Sequence, residues 1–176
     1  MKLLVLGGID DAGKSQTMRF SIRHLGQSKQ IIYKFENNRN PPKKIFIKKT
    51  PVYIYLCSPQ ELTSRIKQSL KVFKKRIDNK EPNALVIIAF NLENVYKDSI
   101  EACLKEIVKR KLKKSTYFVF LDAHTVSPKS NSQARDRIVK LETRGFNILG
   151  EIRRKDDNRI QRGRQFAKYI KHVLKL

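Results

Sequence analysis

Between Gly8 and Ser15 the chain reads Gly-Ile-Asp-Asp-Ala-Gly-Lys-Ser. A glycine, four arbitrary residues, a second glycine, a lysine and a hydroxyl residue are the ingredients of an anion cradle. Small residues let the backbone approach a phosphate closely. Successive N–H groups can then point inward where a following helix begins and its dipole favours negative charge. Lys14 is placed to neutralise β- and γ-phosphate oxygens, and Ser15 to offer its hydroxyl to a bridging Mg²⁺. Gly8, Asp11, Ala12, Gly13, Lys14, Ser15 and Gln16 are therefore the expected nucleotide-contacting set, with Lys14 also the expected catalytic cation. Asp10 and Asp11 are expected to face solvent or an acceptor substrate, because a carboxylate held against the phosphates would repel them.

Triphosphate chemistry also calls for a carboxylate at a neighbouring strand end, holding the metal through water. Asp122, after the apolar run Tyr117 to Leu121, is the leading candidate for both catalysis and metal binding. Glu93, just past the run Ala84 to Phe90, could orient an attacking water if that strand lies beside the first one. Glu36 is a weaker candidate. If Asn91 stands where an acid is usual, turnover would be slow or absent. Arg153, Arg154, Arg159, Arg162 and Arg164 follow the last expected strand, where they could close over a γ-phosphate, grip a polyanion or simply be solvated. His24, His124 and His172 have no mutual metal-ligand spacing.

These groups need elements to position them. Lys2 to Gly7 reads as a strand buried on both faces, and Met18, Ile22 and Leu25 recur at helical spacing after Lys14, with Gly26 as the stop. Ile31 to Phe35 reads as a second strand, Ile45 to Ile47 as an edge strand blunted by lysines, and Val52 to Cys57 as a third strand. Ser58-Pro-Gln-Glu61 is a capping box, predicting a helix with Leu62, Ile66, Leu70, Phe73 and Ile77 along one face and Lys67, Lys71, Lys74 and Lys75 on the other. Further strands are expected at Ala84–Phe90, Tyr117–Leu121 and Phe146–Ile152. Further helices are expected at about Asp98–Lys113 and Gln133–Thr143, the latter after a polar loop from Ser127 to Asn131, and at the end of the chain. Alternating strands and helices imply a mainly parallel sheet covered on both faces, with ligands at the carboxyl ends of its strands.

The 176 residues fit one domain, residues 1–176, with a basic loop or short hairpin insertion at about 37–51. The formal net charge is +23, and bases outnumber acids throughout: 11 to 3 in residues 1–58, 14 to 7 in 59–115 and 14 to 6 in 116–176. Adaptation to heat raises Lys and Glu together, so scarce acids point instead to a polyanionic partner, with nucleic acid first. Cys57 and Cys103, the 2 cysteines, both read as buried and form neither a disulfide framework nor a zinc site. No apolar run approaches a spanning helix, so no membrane association is expected and a cytoplasmic location is.

On the Gly8–Ser15 string and its strand–turn–helix setting, the chain resembles the P-loop NTPases. Residues 8–17 look like the phosphate loop of thymidylate kinases and related nucleotide kinases, but the Asp-Arg pair of those enzymes is replaced by Cys57-Ser58 and Asn91-Leu92. The resemblance implies a three-layer α/β fold with a sheet of five to six mainly parallel strands, and ATP or another NTP with Mg²⁺ as ligands. The favoured function is a small ATPase or NTP-driven switch acting on nucleic acid or nucleoprotein. The alternatives are a nucleotide-kinase-like phosphotransferase and a non-catalytic nucleotide-binding subunit, and an oligomer is left open. No Asn-Lys-x-Asp string and no Asp-x-x-Gly switch follows the Gly8–Ser15 loop, which argues against a GTPase.

Overall fold

The computed structural model describes residues 1–62, 65–123, 125–153 and 158–176. Strand β1 (Lys2–Gly8) leads through a tight turn into helix α1 (Lys14–Ser21), continued by a 3-10 turn over Ile22–His24. Then come α2 (Lys29–Asn37), the hairpin strands β2 (Lys44–Ile47) and β3 (Thr50–Tyr55), and α3 (Ile66–Ile77). The second half alternates regularly: β4 (Leu85–Asn91), α4 (Lys97–Lys109), β5 (Thr116–Asp122), α5 (Pro128–Thr143), β6 (Asn147–Arg153) and α6 (Arg159–Leu174).

Among the described residues the strands form one six-stranded sheet in the order β2-β3-β4-β1-β5-β6. All pairings are parallel except the β2–β3 hairpin at the edge, where Ile45 faces Val52 and Ile47 faces Thr50. The lysine-flanked edge strand therefore forms where the sequence suggests. Every residue of β4 is buried, as is Leu3 to Gly8 of β1, so both faces of the central strands are covered. Helix α1 packs on α6, and α3 on α4, an arrangement consistent with a three-layer α/β fold. Phe73 meets Phe90 edge-to-face at 5.8 Å between centroids, and Phe118 meets Phe146 likewise at 5.6 Å, locking a helix and a loop onto the sheet.

Four local expectations change. Ile31 to Phe35 is helical, not a strand: the Ser28 hydroxyl accepts from Ile31 N–H at 3.3 Å and caps α2, which buries Phe35 while leaving Tyr33 exposed. So short a segment, apolar but for Lys34, fits either period, and the cap decides. The Arg19 guanidinium then closes the other end, donating to the Phe35 and Asn38 carbonyls at 2.6 and 2.7 Å. The capping box at Ser58 does form, with both reciprocal bonds at 3.0 Å, but α3 begins only at Ile66, leaving Leu62 and Ile66 exposed and Phe73 and Ile77 buried. The loop expected from Ser127 to Asn131 is already the first turn of α5, started by Pro128. Cys57 is exposed because β3 ends before it, whereas Cys103 is buried in α4.

Candidate functional site

Strand β1 is flanked by β4 and β5, and its connection leads to α1 and the β2–β3 side while those of β4 and β5 lead the other way, towards β5 and β6. Such a reversal leaves a crevice outside the carboxyl ends of the strands. The turn after β1 is drawn tightly into it. A side chain at Gly7 would lie 2.6 Å from Leu92 Cδ1, and one at Gly8 would lie 3.1 Å from the Leu121 carbonyl oxygen, so strand ends on both sides press on the glycines. The Gly8 carbonyl accepts from Leu92 N–H at 2.9 Å, and the Glu93 carboxylate accepts from Asp10 N–H at 3.1 Å. Glu93 is thus beside the loop, as the adjacency of β4 and β1 requires, and serves as its tether.

The loop then turns through left-handed backbone at Asp11 (φ 51°) and Gly13 (φ 86°). Gly13 is the residue immediately before α1, and no side chain caps that helix among the described residues. The first N–H groups of a helix have no partner within it, so this end presents donors and partial positive charge to the crevice. Ala12 is buried beneath the turn, Asp10 and Asp11 are exposed at its rim, and Lys14 is only 5% exposed. The Lys14 ammonium donates to the Ile9 carbonyl at 2.5 Å and lies 3.3 Å from Glu61 Oε1. The Ser15 hydroxyl donates to the Leu56 carbonyl at 2.8 Å.

These groups enclose a cavity of about 340 Å³. Asp10, Asp11, Gly13, Lys14, Ser15 and Gln16 line it from the loop and α1, Glu61 from the capping-box turn, and Arg159 and Arg162 from α6. Arg162 is buried to 4% exposure, with its guanidinium over Gly13: a side chain there would meet it at 3.2 Å. A larger cavity of about 640 Å³ adjoins, sharing Arg162 and bounded by Glu151, Arg153, Lys168 and Tyr169. Nearby, burial pushes the Tyr96 phenol up, reinforced by the charges of Asp10, Glu93 and Glu61. Burial also draws the Arg76 guanidinium down, although Glu61 among others opposes it.

Asp122, Glu36 and Asn91 do not line this cavity. Both carboxylate oxygens of Asp122 are engaged on α5, by Asn131 Nδ2 at 2.5 Å and Arg135 at 3.1 Å. Glu36 belongs to α2 rather than to a strand end and pairs with Arg23 at 2.6 Å. Asn91 is buried beside Gly8 with its Oδ1 accepting from Glu93 N–H and its Nδ2 without a partner among the described residues. Arg154 and His124 lie outside the described residues. Among the described residues no three His, Cys, Asp or Glu side chains gather as a metal cluster. Glu61 is the cavity residue that sequence reasoning missed, because it was legible only as a cap.

Comparison with family models, with curated proteins and with solved structures found no match. Among the described residues no helix is long and apolar enough to cross a membrane.

Proposed function

We propose that the chain binds a nucleoside triphosphate with Mg²⁺ in the cavity at the end of β1, and is a small ATPase or NTP-driven switch acting on nucleic acid or nucleoprotein. One observation carries the nucleotide: left-handed Gly13 delivers the uncapped first turn of α1 and the buried Lys14 ammonium to one cavity, which Arg159 and Arg162 reach from α6. That combination suits the oxygens of a polyphosphate.

The residues present fit both ligands. Lys14, Arg159, Arg162 and the N–H groups after Gly13 would hold phosphate oxygens. Ser15 and, through water, Glu61 supply the hard oxygen donors that Mg²⁺ takes alongside phosphates. Glu61 is better situated for this than Asp122, because Glu61 lines the cavity and Asp122 does not. On binding, Lys14 exchanges Glu61 for phosphate, and Ser15 releases the Leu56 carbonyl. The bound Mg²⁺–triphosphate supplies a polarised γ-phosphoryl group. Asp10 and Asp11 line the same cavity at its exposed rim.

The partner follows from the +23 charge. Two measurements test the whole reading. Lys14→Ala should abolish ATP binding in calorimetry while leaving the circular dichroism spectrum unchanged; unchanged affinity refutes the nucleotide site. Turnover should rise on adding RNA or DNA at low salt, and indifference refutes the partner.

The adjoining cavity favours a second reading, a phosphotransferase related to nucleotide kinases, since it offers an acceptor room beside Arg162. Transfer of a labelled γ-phosphate to a nucleotide or sugar would establish it.

A further inference from the structure

Outside the cavity at the Gly8–Ser15 loop, α3 carries Lys67, Lys71 and Lys75 at successive four-residue steps, all exposed on one face. They line, together with Leu70, Lys74 and Lys80, an open groove of about 670 Å³. The acids nearby do not neutralise the stripe. Asp78 is bonded to Arg110 at 2.6 Å, and Glu106 is shared between Lys74 at 3.4 Å and Arg110 at 2.6 Å. Like charges four apart on a helix repel. The helix dipole accounts for cations in the last turn, but it disfavours Lys67, which stands in a first turn without a single acid. The stripe is therefore self-repelling as folded, and a bound polyanion would relieve it.

The groove is continuous with an aromatic surface. The Lys80 ammonium lies 4.4 Å from the Tyr53 ring centroid, and Lys44 approaches both Tyr53 at 5.3 Å and Phe46 at 5.1 Å. Phe46 is on the edge strand β2 with 56% of its surface exposed. Glu81 offsets Lys44, to which it is paired at 2.6 Å, and also accepts from the Tyr53 hydroxyl at 2.9 Å. A row of lysines leading to an exposed ring combines backbone neutralisation with a stacking platform, the two elements by which single strands are gripped without regard to sequence.

We infer that the α3 groove and the β2 edge form a binding surface for single-stranded nucleic acid, with Lys67, Lys71 and Lys75 on phosphates and Phe46 under a base. This rests on the nucleic-acid part of the proposed function and is independent of nucleotide binding at Lys14. An acidic peptide would satisfy the lysines but has no use for Phe46.

The test is fluorescence anisotropy of a labelled oligouridylate titrated with the full chain. Removing three phosphate contacts should lower the slope of log affinity against log salt by about 2, and the affinity at about 0.1 M salt by up to about 100-fold. The combined Lys67→Ala, Lys71→Ala and Lys75→Ala variant should show that loss. A control with the same charge change, Lys140→Ala, Lys171→Ala and Lys175→Ala, should lose much less. Phe46→Ala should weaken the single strand by about tenfold and a duplex hardly at all. Equal losses in the variant and the control, or equal binding of polyglutamate, would overturn the inference; so would a duplex that binds as well and is equally affected by Phe46→Ala. Lys14→Ala should keep oligouridylate binding, and the α3 variant should keep ATP binding, so failure of one site is not mistaken for failure of the other.

Discussion

Lys14 and Glu61 form the pair on which the proposed site turns. Their 3.3 Å contact engages the ammonium that a phosphate would take up in the proposed complex, with only 5% of the lysine exposed. Glu61→Gln removes a charge that both occupies Lys14 and repels phosphate. Calorimetry should therefore find metal-free ATP bound severalfold more tightly and a smaller gain on adding Mg²⁺; weaker binding in EDTA would show that Glu61 does not compete. The cysteines give a second test at this scale. Burial pushes the Cys103 thiol up to about 12, so it stays protonated at neutral and mildly alkaline pH, whereas Cys57 is exposed. Iodoacetamide should alkylate Cys57 in the folded chain and Cys103 only after unfolding, as mass spectrometry would show.

Helix α6 positions Arg159 and Arg162 only because it lies close against α1. A side chain on Gly163 would come within 2.5 Å of the Phe20 backbone carbon, which cannot move aside as a side-chain tip could. Gly163→Ala should therefore cost about 1–3 kcal/mol through overpacking. In a chain of this size that lowers Tm by roughly 2–4 °C per kcal/mol, readable by calorimetry. ATP affinity should fall with it as Arg162 is displaced from Gly13, and an unchanged Tm would mean the helices are looser than they look. The helix α2 makes the complementary point. Its apolar run is ambiguous in isolation, and Ser28 at one end and Arg19 at the other settle it.

Across the whole molecule, charge is the dominant signal. There are 39 basic and 16 acidic residues, bases outnumber acids in every third of the chain, and the described acids are mostly committed to internal pairs such as Arg23–Glu36, Arg144–Glu101 and Arg135–Asp122. Release of condensed counterions should therefore dominate any nucleic-acid complex. Affinity should fall steeply between about 50 and 200 mM salt, by roughly 1,000-fold or more if six or more phosphates are neutralised. A flat salt dependence in an anisotropy titration would argue for a neutral partner.

The sequence alone determined what depends on neighbours along the chain. The run before Gly8 had to be a buried strand because it lacks polar residues, and the β4 and β5 strands followed from the same rule. The Gly-x₄-Gly-Lys-Ser spacing placed Lys14 and Ser15 at a helix start, where they are found. Tertiary structure decided everything that depends on which strand lies beside which. Only the order β4-β1-β5 brings Glu93 to Asp10, and only the packing of α5 turns Asp122 away onto Asn131 and Arg135. Glu61 and Arg162 are 101 positions apart in sequence and meet across one cavity. No local period or motif records that meeting, because it is set by the docking of α6 on α1 and by the turn after β3, through packing between distant segments rather than through any preference of the residues themselves.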